Sequence, residues 1–117
     1  MFGGIVIQGD GIGKGLGYPT ANLSIPPKDT KLKDGVFAAK AFLRKKEYNA
    51  ALVIDAERKK VEVYLFEYIG KDFYGMHMEV EPVQKVSEIE LYESEEKLKQ
   101  KIERDIEQIK QVLFREK

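Results

Sequence analysis

Apolar and polar residues alternate over several short stretches between residues 3 and 86, which is the pattern of half-buried β-strands. Charged, glycine-containing or proline-containing segments separate these stretches, and several are short enough to be hairpin turns. In the last stretch we expect Pro82 to break the strand, because proline cannot donate a hydrogen bond to a neighbouring strand. The alternation predicts strands over residues 3–8, 21–25, 36–43, 48–54, 61–68 and 76–86.

The periodicity changes to that of a helix near residue 94. Ser94 is a suitable N-cap, and Glu95 and Glu96 follow it in the first turn, where the helix dipole favours acidic side chains. The helix is predicted to end at about Phe114. Its apolar stripe comprises Leu98, Ile102, Ile106, Ile109 and Leu113. Short strands followed by one helix predict a mainly β fold, a closed antiparallel barrel with the helix packed outside it.

A glycine-rich segment, residues 9–22, lies between the first two predicted strands and reads GDGIGKGLGYPTAN. Glycine at alternate positions permits positive φ angles and leaves no Cβ atom to block a ligand, so consecutive N–H groups can converge on an anion. We therefore predict phosphate binding by this segment. Lys14 could add a point charge for a phosphate, or it could be a solvated loop lysine. The glycines concerned are Gly9, Gly11, Gly13, Gly15 and Gly17.

Two common nucleotide-binding fingerprints are missing from the chain. It contains no Gly-x-Gly-x-x-Gly sequence. It also lacks a P-loop, which requires Ser or Thr after Gly-Lys, because Gly15 follows Lys14 and Asp72 follows Lys71. A plain flexible glycine loop is the alternative interpretation of residues 9–17.

The end of the glycine-rich segment suggests a metal site. Thr20 and Asn22 are two residues apart, so an extended backbone after Pro19 would direct both side-chain oxygens to one side. Mg²⁺ prefers oxygen ligands and commonly completes its shell with waters and the phosphates of a substrate. We therefore predict that Thr20 and Asn22 are ligands of a divalent cation.

The segment resembles the signature loop of the riboflavin kinases, a glycine-rich stretch followed by Leu-Gly-x-Pro-Thr-Ala-Asn. The resemblance continues at residues 34–39, 61–65 and 72–75 and in the C-terminal helix at 102–106. It implies one domain over residues 1–117, a six-stranded antiparallel Greek-key barrel with a C-terminal α-helix. It also implies an ATP:riboflavin 5′-phosphotransferase that makes FMN with Mg²⁺ or another divalent cation.

Phosphorylating an alcohol requires a base for the hydroxyl proton. Glu62 interrupts an apolar strand, so we expect its carboxylate to face a cavity, and it matches the catalytic glutamate of the family. The alternative is an outward-facing residue beside Lys60. The resemblance further implies that Phe73 or Tyr74 stacks on the isoalloxazine and that Arg104 lies on a helix face near the flavin. A turn with core aromatics and a solvated helix face are the corresponding alternatives.

Three departures from the family pattern keep other functions open. Ile12 occupies a position where the family often has arginine, residues 48–62 lack Asn-Ile-Gly followed by Pro-Thr-Phe, and residues 86–89 lack Arg-Pro-Glu. A flavin- or nucleotide-binding barrel that senses or carries its ligand without turnover is therefore an alternative, as is a pure interaction module. Because the glycine-rich segment begins within ten residues of Met1, no adenylyltransferase domain is expected.

Composition narrows the classes of partner. The chain has no cysteine, which excludes disulfides, thiolate catalysis and cysteine-bound zinc, and its single histidine, His77, excludes a histidine-rich metal site. Twenty basic and twenty acidic residues give no basic footprint for nucleic acid. No apolar run or signal peptide indicates a membrane or an export route. We expect a cytoplasmic monomer whose partners are riboflavin, FMN, ATP and ADP.

Overall fold

A computed structural model describes residues 1–7, 20–68, 73–89 and 95–115. A single turn of 3₁₀ helix at Pro27–Thr30 lies between the second and third strands. One α-helix, α1, spans Glu95–Arg115 and follows the last strand. The strands are β1 Phe2–Ile7, β2 Thr20–Leu23, β3 Gly35–Leu43, β4 Lys46–Asp55, β5 Lys60–Leu65 and β6 His77–Ser87.

The six strands form a closed antiparallel barrel in the order β1-β2-β5-β4-β3-β6. Strands β3, β4 and β5 are consecutive neighbours, and β6 returns to pair with β3. This arrangement of three hairpin-linked strands and a returning fourth is a Greek key. Pairing of β1 with both β2 and β6 closes the barrel, so none of the described strands has a free edge. The predicted six-stranded Greek-key barrel with a C-terminal helix is therefore confirmed.

Two apolar layers hold the fold together, one inside the barrel and one between the barrel and α1. Alternate residues of β5, such as Val61 and Val63, point into the barrel with Leu52 of β4. Tyr64 of β5 and Phe66, just beyond the end of β5, point outward and pack with the helix. The residues of α1 that are buried in this outer layer are Ile106, Ile109, Val112 and Leu113. Strands β3 to β5 are thus covered on both faces, which explains their long apolar runs.

The β3–β4 hairpin is tighter than predicted. Arg44 and Lys45 alone form the turn, and both have positive φ angles of 53° and 68°. Positive φ at both central residues is the geometry of a two-residue turn whose twist matches that of the strands. Strand β4 therefore begins at Lys46, inside the predicted turn of residues 44–47. Strand β5 ends at Leu65, three residues earlier than predicted, and Glu67 just beyond it has φ 59°.

The predicted break at Pro82 is wrong, because β6 continues through it to Ser87. Pro82 lies opposite Ala39, whereas the next residue of β3, Ala38, lies opposite Gln84. The register shift between these pairs is a bulge, and a bulge is a position where a strand tolerates a missing N–H donor. Gln8 and the predicted cap Ser94 lie outside the described residues. Among the described residues, no helix has the length and apolar character needed to cross a membrane.

Candidate active site

Glu62 lies on the outer face of the barrel, at the centre of the candidate site. Its neighbours in the chain, Val61 and Val63, fill the barrel interior, so the alternation of β5 turns Glu62 outward. The residue is only 8% exposed, and its Oε2 atom is buried. Glu62 thus lines a cavity beneath α1. The position agrees with the expectation of a cavity-facing carboxylate, while the catalytic role of Glu62 stays a prediction.

The cavity lies between α1 and the outer face of β3, β4 and β5 and has a volume of about 90 Å³. Its walls are largely apolar, formed by valine, alanine and isoleucine side chains together with Tyr64. Five charged side chains complete the lining: Asp55, Arg58, Glu62, Lys101 and Asp105. An apolar slot with a few polar groups is the usual form of a site for a small organic molecule.

Asn22 is the direct cross-strand neighbour of Glu62. Thr20 pairs in the same way with Tyr64, so both β2 residues share the outer face with the β5 residues. Asn22 is 8% exposed. The two side-chain oxygens of β2 therefore lie on the same side of the sheet as the Glu62 carboxylate. The structure brings together the predicted base and the predicted metal ligands, which are 40 residues or more apart in the chain.

Neutral oxygens beside a buried carboxylate suit a hard divalent cation that takes its remaining ligands from phosphates and water. Among the described residues, no group of three or more His, Asp or Glu side chains could hold a metal ion. Thr20 and Asn22 fit the smaller role of supplying one or two protein oxygens. The metal assignment stays a prediction.

The glycine-rich segment connects β1 to β2 at the end of the barrel where Asn22 lies. Ile7, the last residue of β1, pairs with Asn22, and the segment leads from Ile7 to Thr20. The described residues on either side of it, Ile7 and Thr20, therefore lie close to the Asn22–Glu62 pair. The predicted phosphate-binding residues Gly9, Gly11, Gly13, Lys14, Gly15 and Gly17 themselves lie outside the described residues.

The three predicted flavin contacts do not line the cavity. Phe73 is 4% exposed in the barrel core, stacked on Tyr68 with a 5.3 Å centroid distance. Tyr74 is exposed and meets Phe73 edge-on at 6.1 Å. Arg104 is exposed on α1. In this structure Phe73 occupies the alternative position, a core aromatic, and flavin contacts by these residues stay predictions.

The structure adds a buried polar group that the sequence interpretation missed. Lys101 of α1 donates hydrogen bonds to Ser87 Oγ of β6 at 3.0 Å and to the Asp105 carboxylate. Lys101 and Asp105 are both buried in the cavity wall. Their spacing of four residues on the helix was a usable signal for an ion pair. Nothing in the sequence showed that the pair faces the barrel.

The end of β4 and the turn that follows it supply two more charged groups of the cavity, Asp55 and Arg58. The Oδ1 atom of Asp55 accepts a hydrogen bond from the Arg58 backbone N–H at 3.2 Å, and its Oδ2 atom lies 3.6 Å from Arg58 Nε. The Oδ1 atom of Asp34 accepts a hydrogen bond from the Ala56 N–H at 3.0 Å, which ties the turn to the start of β3. Asp55 is buried, whereas Arg58 is exposed.

The arrangement of a barrel, an outer helix and a carboxylate paired with asparagine can be compared with known proteins. The model of the flavokinase family, described as riboflavin kinase, matches residues 1–113. This chain belongs to the riboflavin kinase family. The similarity thus covers the barrel, the glycine-rich segment and nearly all of α1.

Relatives within the family are longer than this chain. The bifunctional riboflavin kinase/FMN adenylyltransferase of Buchnera aphidicola (subsp. Schizaphis graminum) is 34% identical over 116 residues, covering 92% of this chain and 36% of that protein. An RNA-binding riboflavin kinase of Bacillus subtilis is 28% identical over 113 residues, covering 91% of this chain and 48% of that protein. The chain thus spans between a third and a half of the length of these relatives.

A solved structure, the riboflavin kinase from Trypanosoma brucei, has the same fold. It superposes with a TM-score of 0.70 at 21% identity, over 96% of this chain and 75% of that one. Similarity at this level supports the barrel and helix arrangement and no finer detail. The expected absence of nucleic-acid partners stays a prediction.

Proposed function

We propose that this chain is a riboflavin kinase that transfers the γ-phosphoryl group of ATP to the 5′-hydroxyl of riboflavin, producing FMN and ADP. The observation that carries the proposal is the direct pairing of Asn22 with Glu62 at a cavity under α1. Membership of the riboflavin kinase family supports the choice of flavin and ATP as substrates. The largely apolar cavity walls suit a flat aromatic ring system.

Glu62 is proposed as the general base. A carboxylate accepts the proton that the 5′-hydroxyl releases as its oxygen bonds to the γ-phosphorus, while the bond from that phosphorus to the β–γ bridging oxygen of ATP breaks. Burial at the cavity suits this role, because a group screened from water interacts more strongly with the reacting atoms. The direction of β5 fixes the carboxylate on the outer face.

Thr20 and Asn22 are proposed to hold a divalent cation together with the phosphates of ATP. Such a cation, when bound, neutralises the charge that develops on the transferred phosphoryl group. The alternating glycines and Lys14 are proposed to bind the same phosphates, which is supported by the pairing of Ile7, just before this segment in the chain, with Asn22. Phe73, Tyr74 and Arg104 are proposed flavin contacts on the strength of the family resemblance alone.

The proposal also extends to the state of the protein. We propose a cytoplasmic monomer with a single domain over residues 1–117 and no nucleic-acid partner. The zero formal net charge supports the last of these assignments, because it leaves no basic excess for nucleic acid. Sedimentation of the pure protein with and without RNA measures both its oligomeric state and any RNA binding.

An assay with three nucleotide conditions tests the activity. Pure protein is incubated with riboflavin and MgATP, with riboflavin and MgCTP, and with riboflavin, ATP and EDTA, and FMN is quantified by chromatography. We expect FMN with MgATP and at least about a hundredfold less in EDTA. No FMN with any nucleoside triphosphate would refute the kinase proposal. Calorimetry with riboflavin and MgADP would then separate a carrier, which binds a ligand, from an interaction module, which binds neither.

A further inference from the structure

Lys101 places a buried cation in the wall of the cavity that Glu62 also lines. Its side chain is 9% exposed, and it donates hydrogen bonds to Ser87 Oγ and to the Asp105 carboxylate. A lysine ammonium has three N–H donors. Among the described residues these two are the only acceptors that Lys101 reaches. One N–H donor of Lys101 therefore has no acceptor among the described residues.

Stability alone gives little reason for a charged pair at this position. Apolar side chains of similar volume commonly stabilise a buried position as well as an ion pair does, because they carry no desolvation cost. The neighbouring cavity residues Ile102 and Ile106 show that the helix presents such apolar side chains here. Lys101 and Asp105 thus form the polar part of the wall that α1 contributes, and Ser87 of β6 holds the ammonium in place.

Polar and apolar groups in the cavity match the chemistry of riboflavin, whose full length requires the slot of about 90 Å³ to widen on binding. Glu62 comes from β5 and Lys101 from α1, and valine, alanine and isoleucine side chains of both layers line the space with them. Riboflavin has a hydroxyl-bearing ribityl chain, a flat apolar ring body and a pyrimidinedione edge with two carbonyl oxygens. If the 5′-hydroxyl lies at Glu62, the pyrimidinedione carbonyls are the strong acceptors that remain for an ammonium.

We propose that Lys101 donates its third hydrogen bond to a pyrimidinedione carbonyl of riboflavin and thereby determines affinity and specificity for the flavin ring. This inference rests on the proposed function, because it takes riboflavin as the occupant of the cavity. Asp105 and Ser87 are positioning residues, since they fix the ammonium and do not themselves contact the ring.

The first test measures riboflavin affinity by fluorescence quenching in the wild type and in Lys101→Met, which keeps the apolar stem and removes the ammonium. We expect Kd to rise about ten- to a hundredfold, the range for losing a hydrogen bond to a charged group. Lys110→Met is the matched control, because Lys110 is an exposed lysine of the same helix that does not line this cavity. Its Kd should change less than about twofold.

Flavin analogues separate a direct contact from an effect on packing. In 2-thioriboflavin and 4-thioriboflavin a sulfur, which is a weaker acceptor, replaces one carbonyl oxygen. The wild type should prefer riboflavin to one of the analogues by at least about fivefold, and Lys101→Met should lose that preference. If Lys101 only holds the helix, the variant will lose affinity for all three flavins equally and keep the preference, which overturns the inference.

A second variant guards against loss of folding. Lys101→Met leaves the Asp105 carboxylate buried without its ammonium partner, so the double variant Lys101→Met/Asp105→Asn removes both charges and repeats the comparison. If the wild type binds and phosphorylates riboflavin, and both variants bind it with the same affinity, the Lys101 assignment alone is overturned. A wild type that binds no riboflavin overturns the proposed function and this assignment together. If Lys101→Met weakens the binding of FMN and leaves that of riboflavin unchanged, the assignment is also overturned, because the ammonium then binds the phosphate of FMN.

Discussion

Single carboxylates in this molecule differ in environment according to where the chain places them. Glu62 lies within β5 and is buried against α1, whereas Glu67, five residues later, is exposed beyond the end of β5. Strand alternation turns Glu62 to the outer face, and the turn at Glu67, where φ is 59°, removes that residue from the strand. These two carboxylates therefore form a natural pair of test and control.

Glu62→Gln removes the proposed base while keeping the size and shape of the side chain. General-base catalysis is typically worth about a hundred- to ten-thousandfold, so kcat for FMN formation should fall at least about a hundredfold. The KM for riboflavin should change little, because the lost interaction belongs to the transition state. Steady-state kinetics with MgATP measure both parameters.

The control Glu67→Gln should retain kcat within about twofold, as expected of an exposed side chain. An unchanged kcat in Glu62→Gln would show that this carboxylate is not the base. A rise in KM alone would instead make Glu62 a hydrogen-bond acceptor that positions the substrate.

At the scale of elements, α1 completes the site by covering the outer face of the barrel. Its buried face includes Lys101, Asp105 and Val112 in addition to Ile106 and Ile109. The cavity lies between this face and strands β3, β4 and β5, so the packing of the helix determines the shape of the candidate flavin site. Ile109 is fully buried at this contact.

Ile109→Ala should lower the free energy of unfolding by about 2–5 kcal/mol, because it removes buried methylene and methyl groups and leaves a gap between α1 and the barrel. Gln108→Ala, at the exposed neighbouring position, should change it by less than about 0.5 kcal/mol. Urea denaturation followed by circular dichroism measures both. Equal, small effects of the two substitutions would show that α1 does not pack on the barrel in solution.

At the scale of the whole molecule, closure of the barrel brings distant parts of the chain to one end. The β1–β2 and β2–β5 pairings place the ends of residues 8–19, Asn22 and Glu62 next to one another. The proposed nucleotide and flavin sites therefore share one folded unit, and ligands that bind its native state should stabilise the whole molecule.

Thermal unfolding with ligands tests this link and the metal together. Riboflavin at about a hundred times its Kd should stabilise the protein by about 2.7 kcal/mol, with or without EDTA. ADP at a concentration saturating in Mg²⁺ should raise Tm in Mg²⁺ and much less in EDTA, because the cation links its phosphates to Thr20 and Asn22. In Asn22→Leu the difference between Mg²⁺ and EDTA should shrink. An equal ADP shift in both buffers would contradict the metal assignment.

Local patterns in the sequence were sufficient to predict the number of strands, the C-terminal helix and the alternation of inward-facing and outward-facing residues along the strands. They were also sufficient to single out Glu62, because an acidic residue inside an apolar strand stands out in a two-residue period. The family motifs added the Greek-key topology, while the predicted metal ligands Thr20 and Asn22 came from their two-residue spacing. Pro82 misled the strand prediction, because a bulge depends on the register with β3 and the local sequence does not encode that register.

Only the tertiary structure decided which distant residues meet. The pairing of Asn22 with Glu62 depends on β2 lying beside β5, a non-local contact that no short pattern specifies. The predicted helix stripe omitted Lys101, Asp105 and Val112, because a charged pair at four-residue spacing equally describes a solvated face. In the structure, α1 is oriented so that the pair faces the barrel and Lys101 contacts Ser87. This orientation depends on the shape of the surface beneath the helix, which the helix sequence does not specify. Phe73 also lies in the barrel core, stacked on Tyr68, and the turn sequence alone did not specify that position.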